Sequence, residues 1–259
     1  MGSDVYIFGG RQGTAIDEKL LNDVYKFDTL TCTWSRVSVS GSAPCPRSYH
    51  SLVSHGASLY VFGGCPQEGR LADLHSLDTE TGVWTKLEAG PMEGRGGTPL
   101  AVTSDGDIFV VGGFAGREMA DIHKYSIKEG KWMTMKEVRS TKRNPNKVFM
   151  TILFQTLPAP RSVALCVEMS GRLVLVGGEL APSARGHAGA GNFSDQATIL
   201  GLEGAGVRLE GESQGPRARG WSAGGVWRGE AGERMVVVAG LTGDDNNPVR
   251  LMDVWMGEM

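Results

Sequence analysis

No apolar run in the chain approaches the roughly 18 residues that a membrane-spanning helix needs, so no transmembrane helix is expected. Cysteine is scarce. Cys32, Cys45, Cys65 and Cys166 form no CxxC pair and show no disulfide-framework spacing, which suits a reducing compartment. An excess of either charge is missing as well: 26 Lys and Arg stand against 29 Asp and Glu, a net charge of −3, and neither a nucleic-acid nor a membrane-surface partner is favoured. The segment Met1 to Tyr6 has neither the charged nor the apolar region of a signal peptide, and Tyr6 stands where a myristoylation pattern needs Ser or Thr. A cytoplasmic or nuclear location is expected, where the sequon Asn192-Phe193-Ser194 meets no glycosyltransferase.

Glycine is plentiful. At 38 of 259 residues it is about twice its average usage, and without a G-x-y period it implies many turns and no collagen. The glycines also mark a repeat. Val5-Tyr6-Ile7-Phe8-Gly9-Gly10 returns as Leu59 to Gly64, as Ile108 to Gly113 and as Leu173 to Gly178, and a decayed copy runs from Met235 to Gly240. A second marker follows: Asp23 to Asp28 leads to Trp34, Asp73 to Asp78 to Trp84, and Asp121 to Ser126 to Trp132. A third precedes the next doublet: Pro46-Arg47-Ser48-Tyr49, Gly94-Arg95-Gly96-Gly97, Pro160-Arg161-Ser162-Val163 and Ala218-Arg219-Gly220-Trp221.

A period near 50 with a glycine doublet after an aromatic or branched strand is the kelch pattern, four short strands per blade of a β-propeller. The predicted fold is therefore all-β, a single kelch propeller domain over 1–259 with five detectable blades. Eighteen strands are counted where five full blades would have twenty, which leads us to expect a ring truncated at its N-terminus from a six-bladed parent. The tryptophans are expected to fill space between blades, and the repeat arginines Arg47 and Arg161 to brace them. His50, His75 and His123 fall at repeat positions on strands and are read as packing residues.

Two stretches depart from the repeat. Trp132 to Arg161 is 29 residues, against 13 and 11 for the two earlier intervals, and the excess lies at about 137–155. It either caps a propeller face or is a foreign insertion. The second is the loop after Gly177-Gly178, which holds Glu179, Ser183 and His187 at i, i+4 and i+8 among small residues, Gly186 and Ala188 to Gly191. A carboxylate and an imidazole on one short loop are ligands for a divalent first-row metal such as Fe(II); the competing reading is a solvated glycine-rich loop. Asp244-Asp245-Asn246-Asn247-Pro248 reads as a polar turn.

Gly177-Gly178-Glu179 followed by Gly186-His187-Ala188-Gly189-Ala190-Gly191 resembles the kelch-type specifier proteins of glucosinolate breakdown, the nitrile-specifier and epithiospecifier proteins. Arg95-Gly96-Gly97, Gly113-Phe114-Ala115-Gly116, Arg161-Ser162-Val163 and Arg219-Gly220-Trp221 carry the resemblance over nearly the whole chain. It implies a lyase that converts a sulfated thiohydroximate to a nitrile with release of sulfate. It also implies Fe(II) held by Glu179, by an Asp four residues later and by His187. The Asp position is Ser183 here, a poor Fe(II) ligand, for which Asp195 is a candidate substitute. The resemblance further implies pocket aromatics at Tyr49 and Trp221. An anionic sulfate calls for arginine, and Arg70 and Arg95 are the candidates. The alternative class is a non-catalytic kelch module that binds a protein partner.

Overall fold

The structure, a computed structural model, describes residues 4–13, 19–133, 140–144, 147–151, 156–186, 189–203, 206–230 and 232–258. The architecture is all-β, and among the described residues no helix is long and apolar enough to cross a membrane. The chain divides into two compact units, Met1–Thr98 with Lys128–Trp132, and Pro99–Ile127 with Met133–Met259.

In the first unit, β1 (Asp4–Arg11), β2 (Leu20–Asp28) and β3 (Thr33–Arg36) form one antiparallel sheet. The second sheet has β5 (Ser51–His55), β6 (Ser58–Gly64), β7 (Leu71–Asp78) and β8 (Val83–Lys86) in sequential order, with the short β4 (Ser40–Gly41) parallel to β8 at its edge. Phe8, Val24, Leu59, Val61, Leu77 and Trp84 make the core of this unit, Phe8 meeting Trp84 edge-on at 5.3 Å between centroids. Trp84 is buried as a space-filling tryptophan should be. Trp34 is not: it is 55% exposed and leans on Phe27 of its own sheet, 4.9 Å away.

In the second unit, β9 (Leu100–Val102), β10 (Asp107–Phe114) and β11 (Glu118–Ser126) pair in order; β12 (Lys131–Met133), which follows β11 in the chain, belongs mostly to the first. The non-repeat stretch carries an antiparallel hairpin, β13 (Ser140–Asn144) with β14 (Lys147–Thr151). A four-stranded sheet joins β15 (Leu165–Met169), β16 (Arg172–Val176), β19 (Gln196–Glu203) and β20 (Gly206–Gln214). Between β16 and β19, β17 (Glu179–Ala181) pairs with β18 (Asn192–Phe193) as a separate ribbon. The last sheet is β21 (Ala223–Gly229), β22 (Gly232–Gly243) and β23 (Pro248–Gly257). Apart from the β13–β14 hairpin and the β17–β18 ribbon, these sheets are five in number, the five blades of a kelch-type propeller fold.

The doublets owe their glycines to backbone geometry. At four of the five positions the strand bulges: pairing slips between Phe8 and Gly10, Phe62 and Gly64, Val111 and Gly113, and Val238 and Gly240. Both residues take positive φ, for example 63° at Gly63 and 95° at Gly64, a region that a Cβ disfavours. A Cβ on Gly63 would also stand 2.8 Å from the carbonyl oxygen of Arg95. That contact recurs as a hydrogen bond. The second glycine of each doublet donates its N–H to the carbonyl of the next repeat arginine: Gly10 to Arg47 at 2.9 Å, Gly64 to Arg95 at 2.8 Å, Gly113 to Arg161 at 2.9 Å and Gly178 to Arg219 at 2.8 Å.

The arginine side chains turn the other way, into their own sheets. Arg47 donates to the Gly63 carbonyl at 2.9 Å and grips Asp73 with both terminal nitrogens, at 2.6 and 2.9 Å. Arg219 does the same with Ala239 at 3.0 Å and Asp253 at 2.6 and 2.8 Å. Burial opposes ionisation of Asp73, but hydrogen bonds from His75 and Arg47 overcome it and hold the carboxyl well below its ordinary 3.8. His75, with Nε2 on Asp73 at 3.0 Å and Nδ1 on the Ser42 carbonyl at 3.0 Å, is a bracing histidine.

Arg47→Ala is expected to cost about 3 kcal/mol in urea unfolding at neutral pH, because it leaves the Asp73 carboxylate short of its main counter-charge. The lowered folded-state value fixes the sign of the pH dependence. The contribution of Asp73 is complete above 3.8 and is lost as pH falls below it towards the folded-state value. Below pH 4 the wild type should therefore lose stability more steeply than Arg47→Ala.

Candidate functional site

The departing loop belongs to the second unit. Its base is the β17–β18 ribbon, with Glu179 opposite Phe193, and a two-way main-chain bridge ties Glu179 to Ser162 at 3.0 and 2.8 Å. Glu179 is thus fixed by backbone on both sides and is 9% exposed. Burial raises its carboxyl above the ordinary 4.5, the N–H groups of Ser183 and Gly191 pull it back, and the nearby Asp245 carboxylate pushes it up again.

Asp245, in the turn between β22 and β23, closes on this loop from a distance of 62 residues in sequence. The Ser183 hydroxyl donates to its Oδ1, the Ala184 N–H reaches Oδ2 at 3.1 Å, and Arg185 Nη1 binds its main-chain oxygen at 2.6 Å. Two glycines make room for the carboxylates. A Cβ at Gly189 would collide with Asp245 Oδ1 and Ser183 Oγ, and one at Gly191 with Glu179 Oε1. Gly189 and Gly191 are therefore small because they admit Asp245 and Glu179.

His187 lies outside the described residues, as does Ala188. Asp195 does not turn to this group; its carboxylate accepts from Gln196 Nε2 at 2.9 Å and from Gln214 Nε2 at 3.2 Å. Among the described residues no three His, Cys, Asp or Glu side chains are grouped as a metal-ligand set.

Glu118, on β11, is a neighbour of Ser162 and Glu179 that sequence reasoning missed. Both its carboxyl oxygens are buried with no hydrogen-bond partner among the described residues. Burial above all, with the charge of Glu179 in support and Ser162 opposing, pushes the carboxyl up to about 7. A charged residue just past a doublet reads as solvated, so nothing in the sequence marked it. Asp245 was visible only as part of a polar turn. Its signal was indirect, a Ser at 183 where a carboxylate was expected.

Arg161 adds a second polar irregularity. Aligning strands by register puts Gln196 where the other sheets have Asp73 and Asp253: Ala197 faces Val176 as Leu74 faces Phe62 and Val254 faces Val238. Arg161 keeps its bond to the Gly177 carbonyl at 3.3 Å, but its buried Nε has no partner among the described residues.

The expected substrate residues are divided between the units. In the first, the Tyr49 hydroxyl accepts from Arg11 Nη2, and the Arg11 guanidinium lies over the ring at 5.0 Å from its centroid. Arg70 is exposed and acts electrostatically on Cys65 together with Arg11, both opposing the burial that raises that thiol. Arg95 has no exposed surface; its Nε donates to the Glu93 carbonyl at 2.9 Å and its own carbonyl takes the Gly64 N–H. A guanidinium so enclosed braces the sheet and presents nothing to a sulfate. In the second unit, Trp221 is 40% exposed and donates its N–H to the Val163 carbonyl at 2.9 Å. Tyr49, Gly97, Val163 and Trp221 each stand two residues past a repeat arginine, and all have positive φ, 56°, 56°, 47° and 59°. Three of the four are not glycine, so backbone strain is held where Tyr49 and Trp221 are displayed.

Residues 1–178 match the family model described as the KLHDC2/KLHL20/DRC7 Kelch-repeats domain. The chain belongs to the kelch-repeat family. It is 28% identical to human Kelch domain-containing protein 3 over 194 residues, which cover 69% of this chain and 45% of that protein. It is 36% identical to the N-(sulfonatooxy)prop-2-enimidothioate sulfolyase of Thlaspi arvense over 145 residues, 51% of this chain and 40% of that one. The chain spans less than half the length of these curated relatives. Among solved structures, that of YjhT superposes with a TM-score of 0.68 at 16% identity, covering 98% of this chain and 78% of that one, and supports the propeller fold.

Glu118→Gln tests the buried carboxyl. A folded-state value raised from 4.5 to about 7 means that the native state holds the proton more tightly, so the wild type loses stability as pH rises through that interval. The neutral amide escapes this loss. In metal-free protein the variant should gain on the wild type between pH 5 and pH 8 in urea unfolding; parallel curves would show that Glu118 titrates normally.

Proposed function

We propose that this kelch propeller is a specifier-type lyase that binds Fe(II) at the Glu179 loop. It converts sulfated thiohydroximates to nitriles: the C–S and N–O bonds break, and the thiolate dianion leaves as nitrile, sulfate and a sulfur atom. The observation that carries the reading is Glu179, its main chain bonded to Ser162 and paired with Phe193 and its carboxylate seated against Gly191, where a Cβ would strike Oε1. The donor chemistry fits a divalent first-row cation, with carboxylates at Glu179 and Asp245 and an imidazole at His187. Fe(II), when bound, supplies a Lewis-acid centre for the sulfur or nitrogen of the substrate. Trp221, in the same unit as the Glu179 loop and 40% exposed, is the aromatic to which we assign the organic part of the substrate. The 36% identity to a protein named as a sulfolyase supports the same reading.

A non-catalytic module that binds a protein partner is the second reading. Its support is the face of β23 that shows Met252, Val254 and Met256 at 93%, 65% and 49% exposure.

Anaerobic calorimetry with Fe(II) tests the first reading. The wild type should bind at micromolar concentration, and both Glu179→Ala and His187→Ala should lose binding. With myrosinase-treated glucosinolate and Fe(II), the wild type should then form nitrile and Glu179→Ala should not. Absence of Fe(II) binding by the wild type would overturn the lyase and leave the interaction module.

A further inference from the structure

We propose that this chain self-associates head to tail, the β22–β23 face of one copy docking on the β1–β2–β3 face of a second copy. Within each unit, neighbouring sheets pack by one rule. Phe8 and Val24 of the first sheet lie on Leu59, Val61, Leu77 and Trp84 of the second. Phe109, Val111 and Ile122 lie in the same way on Leu173, Leu175 and Leu200. Val174, Val176 and Ala197 do so on Met235 and Val237, with Trp255 alongside. The three contacts use equivalent repeat positions, so each sheet has a giving face, which includes the residue before the glycine doublet, and a receiving face on its other side.

One face of each kind is exposed. On the first sheet the receiving positions are Val5, Ile7, Phe27 and Trp34. Their register matches that of the second sheet: Val5 faces Phe27 and Phe27 faces Trp34, as Leu59 faces Leu77 and Leu77 faces Trp84. Yet Val5 and Ile7 are each 49% exposed, whereas Leu59 and Val61 are 2% and 0% exposed. On the last sheet the giving positions are Val236, Val238 and Val254, with Val238 facing Val254 as Phe8 faces Val24. Val238 and Val254 are exposed. At the flanking positions, where the first sheet carries Asn22 and Lys26, the last sheet carries Met252 and Met256, both exposed.

The exposed giving face is therefore more apolar than the buried one it matches, and contiguous exposed apolar surface marks an interaction face. Val176 and Ala197 show that small giving residues suffice for this packing, so Val238 and Val254 do not need the bulk of Phe8. A second copy supplies both halves of a contact that the chain already makes three times. Because the two faces lie on different sheets, the contact is heterologous, and a copy that gives one face still offers the other. Neither face includes a residue of the Glu179 loop, so the association is independent of the lyase reading.

Sedimentation velocity over a concentration series tests this. Val254→Glu places a charge in the giving face and Ile7→Glu one in the receiving face, both at exposed side chains, and thermal melts check that each variant folds as the wild type does. Met252→Lys and Val5→Lys repeat the test should either melt be lost. The wild type should pass from monomer to dimers and larger species as concentration rises. Each variant alone should associate roughly tenfold or more weakly, since a charge would be buried unpaired in the contact. An equimolar mixture of the two should form one-to-one dimers and nothing larger, because the intact giving face of Ile7→Glu meets the intact receiving face of Val254→Glu. A wild type that stays monomeric throughout would overturn the proposal and leave both faces to a different protein. Variants that associate as the wild type does, or a mixture of folded variants that stays monomeric, would overturn it as well.

Discussion

Each glycine doublet is tied to the arginine that follows it in the chain by one short main-chain hydrogen bond, and the remaining architecture is arranged around that bond. The second glycine gives its N–H to the arginine carbonyl, four times at 2.8–2.9 Å. Both residues of the doublet take positive φ at this approach, hence glycine. In turn Arg47, Arg161 and Arg219 are held by their side chains, which bond the doublets of their own sheets, and Arg47 and Arg219 also clamp an Asp on the adjoining strand. At these three the arginine that receives one doublet closes on another. Substituting the arginine breaks a buried ion pair within a sheet and disturbs the seat of its neighbour.

The sheet that carries the candidate site is where this rule is relaxed. Gln196 replaces the clamping Asp, Arg161 is left with a buried Nε that has no partner among the described residues, and Glu118, on β11 of the preceding sheet, has both carboxyl oxygens in the same condition. Polar groups buried without partners cost free energy, and natural folds keep such departures where function requires them. Ser162 and Glu179, joined by main-chain bonds in both directions, lie between these groups and the loop. The relaxed clamp and the departing loop are therefore neighbouring parts of one region.

Much of the scaffold was legible in the sequence because each repeat marker answers a main-chain demand that only certain residues meet. Doublets, arginines and the Asp of the second marker recur for that reason, and from them the number of sheets and their order follow. Side-chain fates were less legible. Arg95 and Arg70 look alike as arginines near a doublet, yet one has no exposed surface and the other is exposed. Trp34 and Trp84 occupy the same repeat position and differ from 55% to 2% exposure. What separates such pairs is the identity of neighbours distant in sequence, which a repeat pattern does not encode.

The loop shows the same limit from the other side. Read alone, Ser183 in place of Asp argues against a metal, because the local ligand set has lost a charge. The fold returns a carboxylate to that point from the β22–β23 turn, and the hydrogen bond that Ser183 makes to it is one an aspartate there could not make without a shared proton. Ser183 and Asp245 are thus chemically matched: with Asp at both positions two carboxylates would repel, and with Ser at 183 the hydroxyl orients the one that remains. A substitution that appears as a loss in one loop is half of a pair once the partner turn is in view.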